Sequence, residues 1–239
     1  MELINISEKS PLTFYIFINF NNQLTKLNIE NNGSICSAAF YQLITNSDKK
    51  FANEYFKGMI SAYSGSSNKK DDFVQKYIKG TVDYLPFEAN QDCDINFLSM
   101  FNKGITSSYR TEFNCEKSRQ YYFPLYPSRL SSCFAFGDWE SCVKASKKYG
   151  WELKTVREFE LIPHKHNRVA KVNMEIISLL RAADNVSSMD AKTIDLIWKS
   201  YWSGESNISL ELPSPTGKKK IDSGIMWEYL IEGLLKLKK

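Results

Sequence analysis

The 239-residue sequence contains no apolar run of membrane-spanning length; its best candidate, FYIFINF at residues 14–20, stops after seven residues and includes Asn19. No basic start followed by an apolar segment opens the chain, so no secretory signal is expected and a cytoplasmic location is. The sequons at Asn5, Asn185 and Asn207 then carry no meaning. Five cysteines (Cys36, Cys93, Cys115, Cys133 and Cys142) include no C-x-x-C pair, and His164 and His166 are the only histidines. Reduced, buried thiols are expected and a zinc site is not. The P-loop, the G-x-G-x-x-G dinucleotide turn and the G-x-S-x-G nucleophile elbow are all missing, which removes the chemistries those backbones support. The pair around His164-Lys165-His166 reads as an exposed turn after Pro163.

Arginine is scarce as well, and its distribution is uneven. All six arginines fall between Arg110 and Arg181, while the first 109 residues carry only lysine. A guanidinium offers a rigid fork for carboxylate or phosphate, so polar recognition is expected in the middle third of the chain. The net charge of +4 is mild. Lys218-Lys219-Lys220 and the lysines at 236, 238 and 239 read as solvated surface, because a nucleic-acid footprint would be denser and interleaved with aromatics.

What is present suits a sizeable mixed core: 43% hydrophobic and 14% aromatic residues, which excludes a disordered chain. TFYIFINF and QLTKLNIE read as two strands joined at Asn21-Asn22. Residues 48–63 suit a helix with Phe51, Tyr55, Phe56, Met59 and Tyr63 on one face. SGSSNKKDD at 64–72 reads as a loop, with Asp71 or Asp72 capping a short helix that reaches Gly80, and Asp94 capping another that ends before Gly104. Ser107 opens a helix that must stop near Pro124, on which Glu116 and Arg119 are neighbours.

LSSCFAF at 130–136 reads as a buried strand, and Asp138 as the N-cap of a helix ending at Gly150. WELKTVREFELI returns as a strand whose slipping alternation predicts a bulge. Asn173 and Ser188 are candidate caps of two amphipathic helices, the second ending at Gly204. ISLEL at 208–212 is a short strand, and PSPTGKKKIDSG a loop. Residues 225–238 fit a helix or, divided at Gly233, two strands. No repeat or boundary is visible, so residues 1–239 are read as one α+β domain.

Two features are left over after folding is accounted for. Arg129, Ser131 and Ser132 open an apolar strand that leads into a capped helix. Glu228 sits among apolar and aromatic residues in MWEYLI. It either points outward with Trp227 inward, or it is buried and needs a partner, a proton or a solvated pocket.

In order along the chain stand Glu116-x-x-Arg119, Phe123-Pro124-x-x-Pro127-Ser128-Arg129-x-x-Ser132-x-Phe134, Tyr201-Trp202-x-Gly204 and Trp227-Glu228-x-Leu230. This series, with the opening FYIFINFNNQLTKLNIE, resembles an uncharacterised bacterial and phage family of the ADP-ribosyltransferase superfamily, over nearly the whole chain. The resemblance implies an ADP-ribosyltransferase-like split mixed sheet with surrounding helices. It implies transfer of ADP-ribose from NAD, as substrate and without a metal, to a protein or nucleic-acid acceptor, with release of nicotinamide, in a phage–host or toxin-type conflict.

On that reading Glu228 is the catalytic carboxylate beside the ribose 2′-hydroxyl. Arg129 or Arg119 lies at the pyrophosphate, Glu116 and Ser128 are counted among the cofactor-binding residues, Ser132 supports the nicotinamide pocket, and Tyr15 lies by the dinucleotide. Many such transferases carry His or Arg directly after that first-strand aromatic, where this chain has Ile16. An alternative follows: a catalytically inactive protein on the same scaffold, acting as a binding or inhibitor module for a host partner.

Overall fold

The computed structural model describes residues 12–63, 111–186 and 189–238. Nine strands and seven helices lie among them. Strands β1 (Thr13–Phe17), β4 (Val156–Leu161), β9 (Leu234–Leu237) and β2 (Ser34–Cys36) form one sheet in the order β1-β4-β9-β2. A second sheet is ordered β3 (Cys133–Ala135), β8 (Trp227–Glu232), β5 (Arg168–Asn173), and β6 (Ser209–Ser214) pairs with β7 (Gly217–Asp222) as a hairpin. Among the described residues every ladder is antiparallel, whereas the resemblance implies a mixed sheet. The α+β class holds.

The two larger sheets share chain. Residues 227–237 are strands, not a helix, and β8 passes into β9 through Gly233 so that one bent segment serves both sheets. Tyr15 of β1 also bridges to Phe136 just beyond β3. Phe14, Ile16, Ile35, Phe159, Leu161, Ile231 and Leu235 fill the space this encloses. On the other side of β5 and β8, Val172 and Leu230 pack against Ile176, Ile177 and Leu180 of α6 (Met174–Val186) and Trp198, Tyr201 and Trp202 of α7 (Ala191–Ser203). Cys115, on the helix α4 over residues 111–122, joins them, its carbonyl accepting from Trp202 Nε1 at 3.1 Å.

Several local expectations hold for the reasons given. Asp138 accepts from Ser141 N at 2.7 Å and caps α5 (Trp139–Tyr149), which ends at Gly150 in the left-handed conformation, φ 71°. Asn173 caps α6, its Oδ1 accepting from Glu175 N and Met226 N. α7 ends at Gly204 but is capped by Asp190, not Ser188, which lies outside the described residues.

Other expectations are corrected. QLTKLNIE is not a strand: Gln23–Asn32 is helix α1, capped by Asn22. Its buried residues are Thr25 and Asn28, and Asn28 bonds the backbone of Ile60 and Ser61, so the strand reading is overridden by satisfied polar burial. After α2 (Ala38–Ser47), the helix expected over 48–63 closes early as α3 (Lys49–Tyr55), with Gly58 at φ 83° beyond it; Met59 and Tyr63 are buried from an irregular segment. The bulge expected in WELKTVREFELI is a 3-10 turn at Leu153–Thr155 ahead of β4. PSPTGKKKIDSG contributes β7, with Lys218, Lys219 and Lys220 exposed. The start of α4 and the expectations at Asp71, Asp72 and Asp94 fall outside the described residues.

Gly233 takes its place for want of room. A Cβ there would stand 2.6 Å from Leu161 Cδ1 and 2.9 Å from Asn167 Oδ1, while Gly233 exchanges hydrogen bonds with Ser37. Gly233→Ala is therefore expected to destabilise the fold by about 2 kcal/mol, an overpacking cost, measured by urea unfolding; an unchanged midpoint would show that the bend tolerates a side chain.

Candidate functional site

The site begins with strand alternation. On β8, Glu228, Leu230 and Glu232 face the helices, while Trp227, Tyr229 and Ile231 face the other way. Glu228 is thus buried and Trp227 half-buried, the inverse of the outward-glutamate arrangement.

Arg129 supplies the partner that Glu228 needs. Its Nη1 donates to Glu228 Oε1 at 3.1 Å and to the Tyr201 hydroxyl at 2.7 Å. Its Nε and Nη2 donate to Glu112 at 3.2 and 3.3 Å. The guanidinium carbon also lies 5.0 Å from the centre of the Phe134 ring. Arg181 adds a second cation at Glu112 Oε1, 3.3 Å away. Side chains of Arg129 and Glu228 are each 10% exposed, so this is a buried network and not an open cleft.

Two more carboxylates hold the loop that presents Arg129. Glu116 is gripped by Arg119 through two bonds of 3.0 and 2.6 Å and accepts from Ser128 Oγ at 2.8 Å. Arg119 reaches on to the carbonyls of Pro124 and Tyr126, so the pair is a loop anchor and more than a surface ion pair. Glu232 accepts from Ser128 N at 3.0 Å and Ser131 Oγ at 2.6 Å. Arg168 Nη2 lies 2.6 Å from its other oxygen as an ion pair, without hydrogen-bond alignment.

Of the residues singled out in the sequence, Arg129 and Glu228 are in direct contact, and Glu116, Arg119 and Ser128 lie in the adjoining loop anchor. Ser132 is turned away: its hydroxyl donates to Ser128 O at 2.7 Å. Tyr15 packs in a separate cluster with Phe136 and Met226, its ring edge-on to Trp139. Glu112, Arg181, Glu232 and Arg168 were not singled out, and Tyr201 was named only within its motif, without a role. Spacing carried a signal for two of them: Glu112 precedes Glu116 by one helical turn, and Glu232 follows Glu228 on the same strand face.

Burial raises the Glu228 carboxyl above its ordinary value, and the charge of Arg129 only partly opposes this. At Glu112 burial also pushes upward, but Arg129 and Arg181 together outweigh it and hold the carboxyl low. Glu116 is likewise lowered, because its bonds from Arg119 and Ser128 outweigh burial. Burial pushes the Cys142 thiol up to about 12 and lifts Cys36, Cys115 and Cys133 too; these four free thiols are buried and protonated at neutral pH. His164 is not an exposed turn residue: its side chain is 8% exposed, with the ring against Phe40 and Phe51 and Nε2 3.4 Å from Asp48. Among the described residues no group of three His, Cys, Asp or Glu side chains forms a metal site, and no helix is long and apolar enough to cross a membrane.

A scan of protein-family models finds none that matches the chain, and a search of curated proteins finds no significant match.

Removing Arg129 would leave Glu112 and Glu228 short of a buried cation, so Arg129→Ala is expected to cost about 3–5 kcal/mol in urea unfolding. Glu228→Gln carries a pH signature. A carboxyl raised in the fold contributes stability below its unfolded value, near 4.5, and loses it as pH rises through the raised value. Glu112 and Glu116, lowered, contribute in the opposite sense and are present in both proteins. The stability of wild type relative to Glu228→Gln should therefore fall as pH rises above 4.5, measured as the difference of two unfolding series; a rise would reverse the assignment.

Proposed function

We propose that the chain is an NAD-dependent ADP-ribosyltransferase with Glu228 as its catalytic carboxylate. The observation that carries this is the buried contact of Glu228 with Arg129 and Tyr201 beside the apolar side chains of Val172 and Leu230. A buried ion pair adds little net stability over a hydrophobic replacement, whereas a desolvated carboxylate with a specific cation beside it is the arrangement that functional sites use.

In the reaction, the bond from ribose C1′ to the nicotinamide nitrogen breaks, and nicotinamide departs with the electron pair. Positive charge develops on C1′ and the ring oxygen. Glu228, accepting from the 2′-hydroxyl, stabilises that charge, and a nucleophile of the acceptor then bonds to C1′. Arg129 matches the pyrophosphate. On this reading the bent β8–β9 segment joining two sheets belongs to the split-sheet transferase fold, and the acceptor is a protein or a nucleic acid.

A second reading has its own observation. Four of the five N–H donors of Arg129 are already engaged with Glu112, Tyr201 and Glu228, and Ser132 is engaged with its own loop. This favours a scaffold in which the network is structural and the protein acts as a binding or inhibitor module for a host partner.

Nicotinamide release in the presence of NAD separates the two. The transferase should release nicotinamide, with Glu228→Gln slowing release by roughly 100-fold or more while the variant remains folded. Neither binding of NAD nor release with protein, RNA or DNA acceptors, together with one stoichiometric partner captured equally by wild type and Glu228→Gln, would establish the module instead.

A further inference from the structure

Only two histidines occur in the chain, and the proposed site uses neither of them. His164 follows Pro163 in the connection from β4 to β5, with its side chain 8% exposed. Its ring stands edge-on to Phe40 of α2 at 5.3 Å and to Phe51 of α3 at 4.7 Å. A polar ring in an apolar corner needs its nitrogens answered. Nδ1 accepts from the backbone N–H of His166 at 3.2 Å, and Nε2 lies 3.4 Å from Asp48 Oδ2.

These two contacts fix the proton. A backbone amide can only donate, so Nδ1 carries no hydrogen and the neutral ring holds its hydrogen on Nε2, toward the carboxylate. Asp48 is suited to receive it. Its Oδ1 caps α3 by accepting from Phe51 N at 3.0 Å, and that bond, with the one from His164, holds the carboxyl below its ordinary value. Among the described residues, the other titratable groups about the ring are Lys165 and His166 of its own turn. Desolvation, and then the charges of His164 and Lys165, lower His166, so a second proton is disfavoured beside a charged His164. On α3, Lys49 is turned to the carbonyl of Thr45 and Lys50 is exposed, while α2 presents Phe40.

The same turn is seated on the bend between the two sheets. Asn167 donates from its backbone N–H to His164 O at 3.0 Å and from Nδ2 to Ile162 O at 2.8 Å. Its buried Oδ1 stands against Gly233, 2.9 Å from the place a Cβ would take. Arg168 follows directly and pairs with Glu232, the carboxylate that holds Ser128 and Ser131. His164 thus lies at one end of a short series of contacts that leads to the loop presenting Arg129.

We propose that His164 is the trigger of a pH-sensitive latch on this turn. A proton added at Nδ1 sets N–H against N–H, and the His166 amide must leave. The ring itself stays, because its Nε2–H remains on Asp48, now as an ion pair, between Phe40 and Phe51. What moves is the backbone at 165–167, and the release is passed to Asn167 where it meets Gly233. Histidine is the side chain that changes charge between neutral and mildly acid pH, which makes such a contact a switch and not a step in acid unfolding. The latch stands whether or not Glu228 is catalytic.

The full chain is followed by NMR from about pH 8 to about pH 5. Ring shifts of His164 report its tautomer and its titration, and amide hydrogen exchange reports the turn. The Nε2–H tautomer is expected at the alkaline end. As the ring titrates, protection of the His166 amide should fall roughly tenfold or more with the same midpoint, while the amides of β4 keep theirs. His164→Asn sets a carbonyl oxygen near the place of Nδ1 and does not titrate, so protection at His166 should persist across the range. A neutral ring with its hydrogen on Nδ1, protection unchanged through the titration of His164, or a loss shared by β4 overturns the proposal, and so does an equal fall in His164→Asn. The wild-type titration decides alone if that variant does not fold.

Discussion

The guanidinium of Arg129 is the point on which the middle of the molecule is hung. A buried cation must be met by carboxylates and acceptors in good geometry, or the fold loses several kcal/mol. Those partners come from three elements far apart in sequence: Glu112 on α4, Tyr201 on α7 and Glu228 on β8. The requirement therefore fixes α4 and α7 against the second sheet more specifically than apolar packing could, because hydrophobic contact has no direction and a fork of N–H donors does.

The neighbouring charges extend the same logic. Glu112, Glu116, Glu228 and Glu232 are matched by Arg119, Arg129, Arg168 and Arg181. Four of the six arginines thus serve one cluster, and this is the physical content of their confinement to the middle of the chain. Arg157, by contrast, lies on the first sheet, bonded to the carbonyls of Lys154 and Val156. Lysine could hold one carboxylate as a point charge. It could not grip Glu116 with two parallel bonds while also reaching the carbonyls of Pro124 and Tyr126, as Arg119 does.

What was legible in the sequence was what short-range chemistry decides. Asp138, Asn173, Gly150 and Gly204 punctuate their helices through bonds to residues a few positions away, and Gly233 divides two strands because a side chain cannot fit there. What was not legible depends on partners distant in sequence. The strand pattern of QLTKLNIE is locally sound, but Asn28 finds its partners at Ile60 and Ser61, and that long-range satisfaction selects a helix. Ser132 illustrates the converse. Its place before a helix is what the family resemblance fixes on, whereas its hydroxyl is held by a carbonyl four residues back. Convergence of Arg129 and Glu228, 99 residues apart, follows from no local rule: the residues themselves show two separate anomalies, an arginine at a strand start and a glutamate in an apolar strand, and only the resemblance implies one site for both.

Glu112 gives the network a property that neither anomaly revealed. Its two oxygens lie on the Nε and Nη2 of Arg129, the same paired donors that a phosphate would use. An anionic ligand at Arg129 must therefore compete with a carboxylate already in place, and Glu112, once displaced, must be held elsewhere. Arg181, half-exposed and already 3.3 Å from Glu112 Oε1, is the group positioned to hold it. The exchange would then move a carboxylate from one arginine to another without leaving a buried charge unpaired. That condition places the demand on α4, which carries both Glu112 and Glu116.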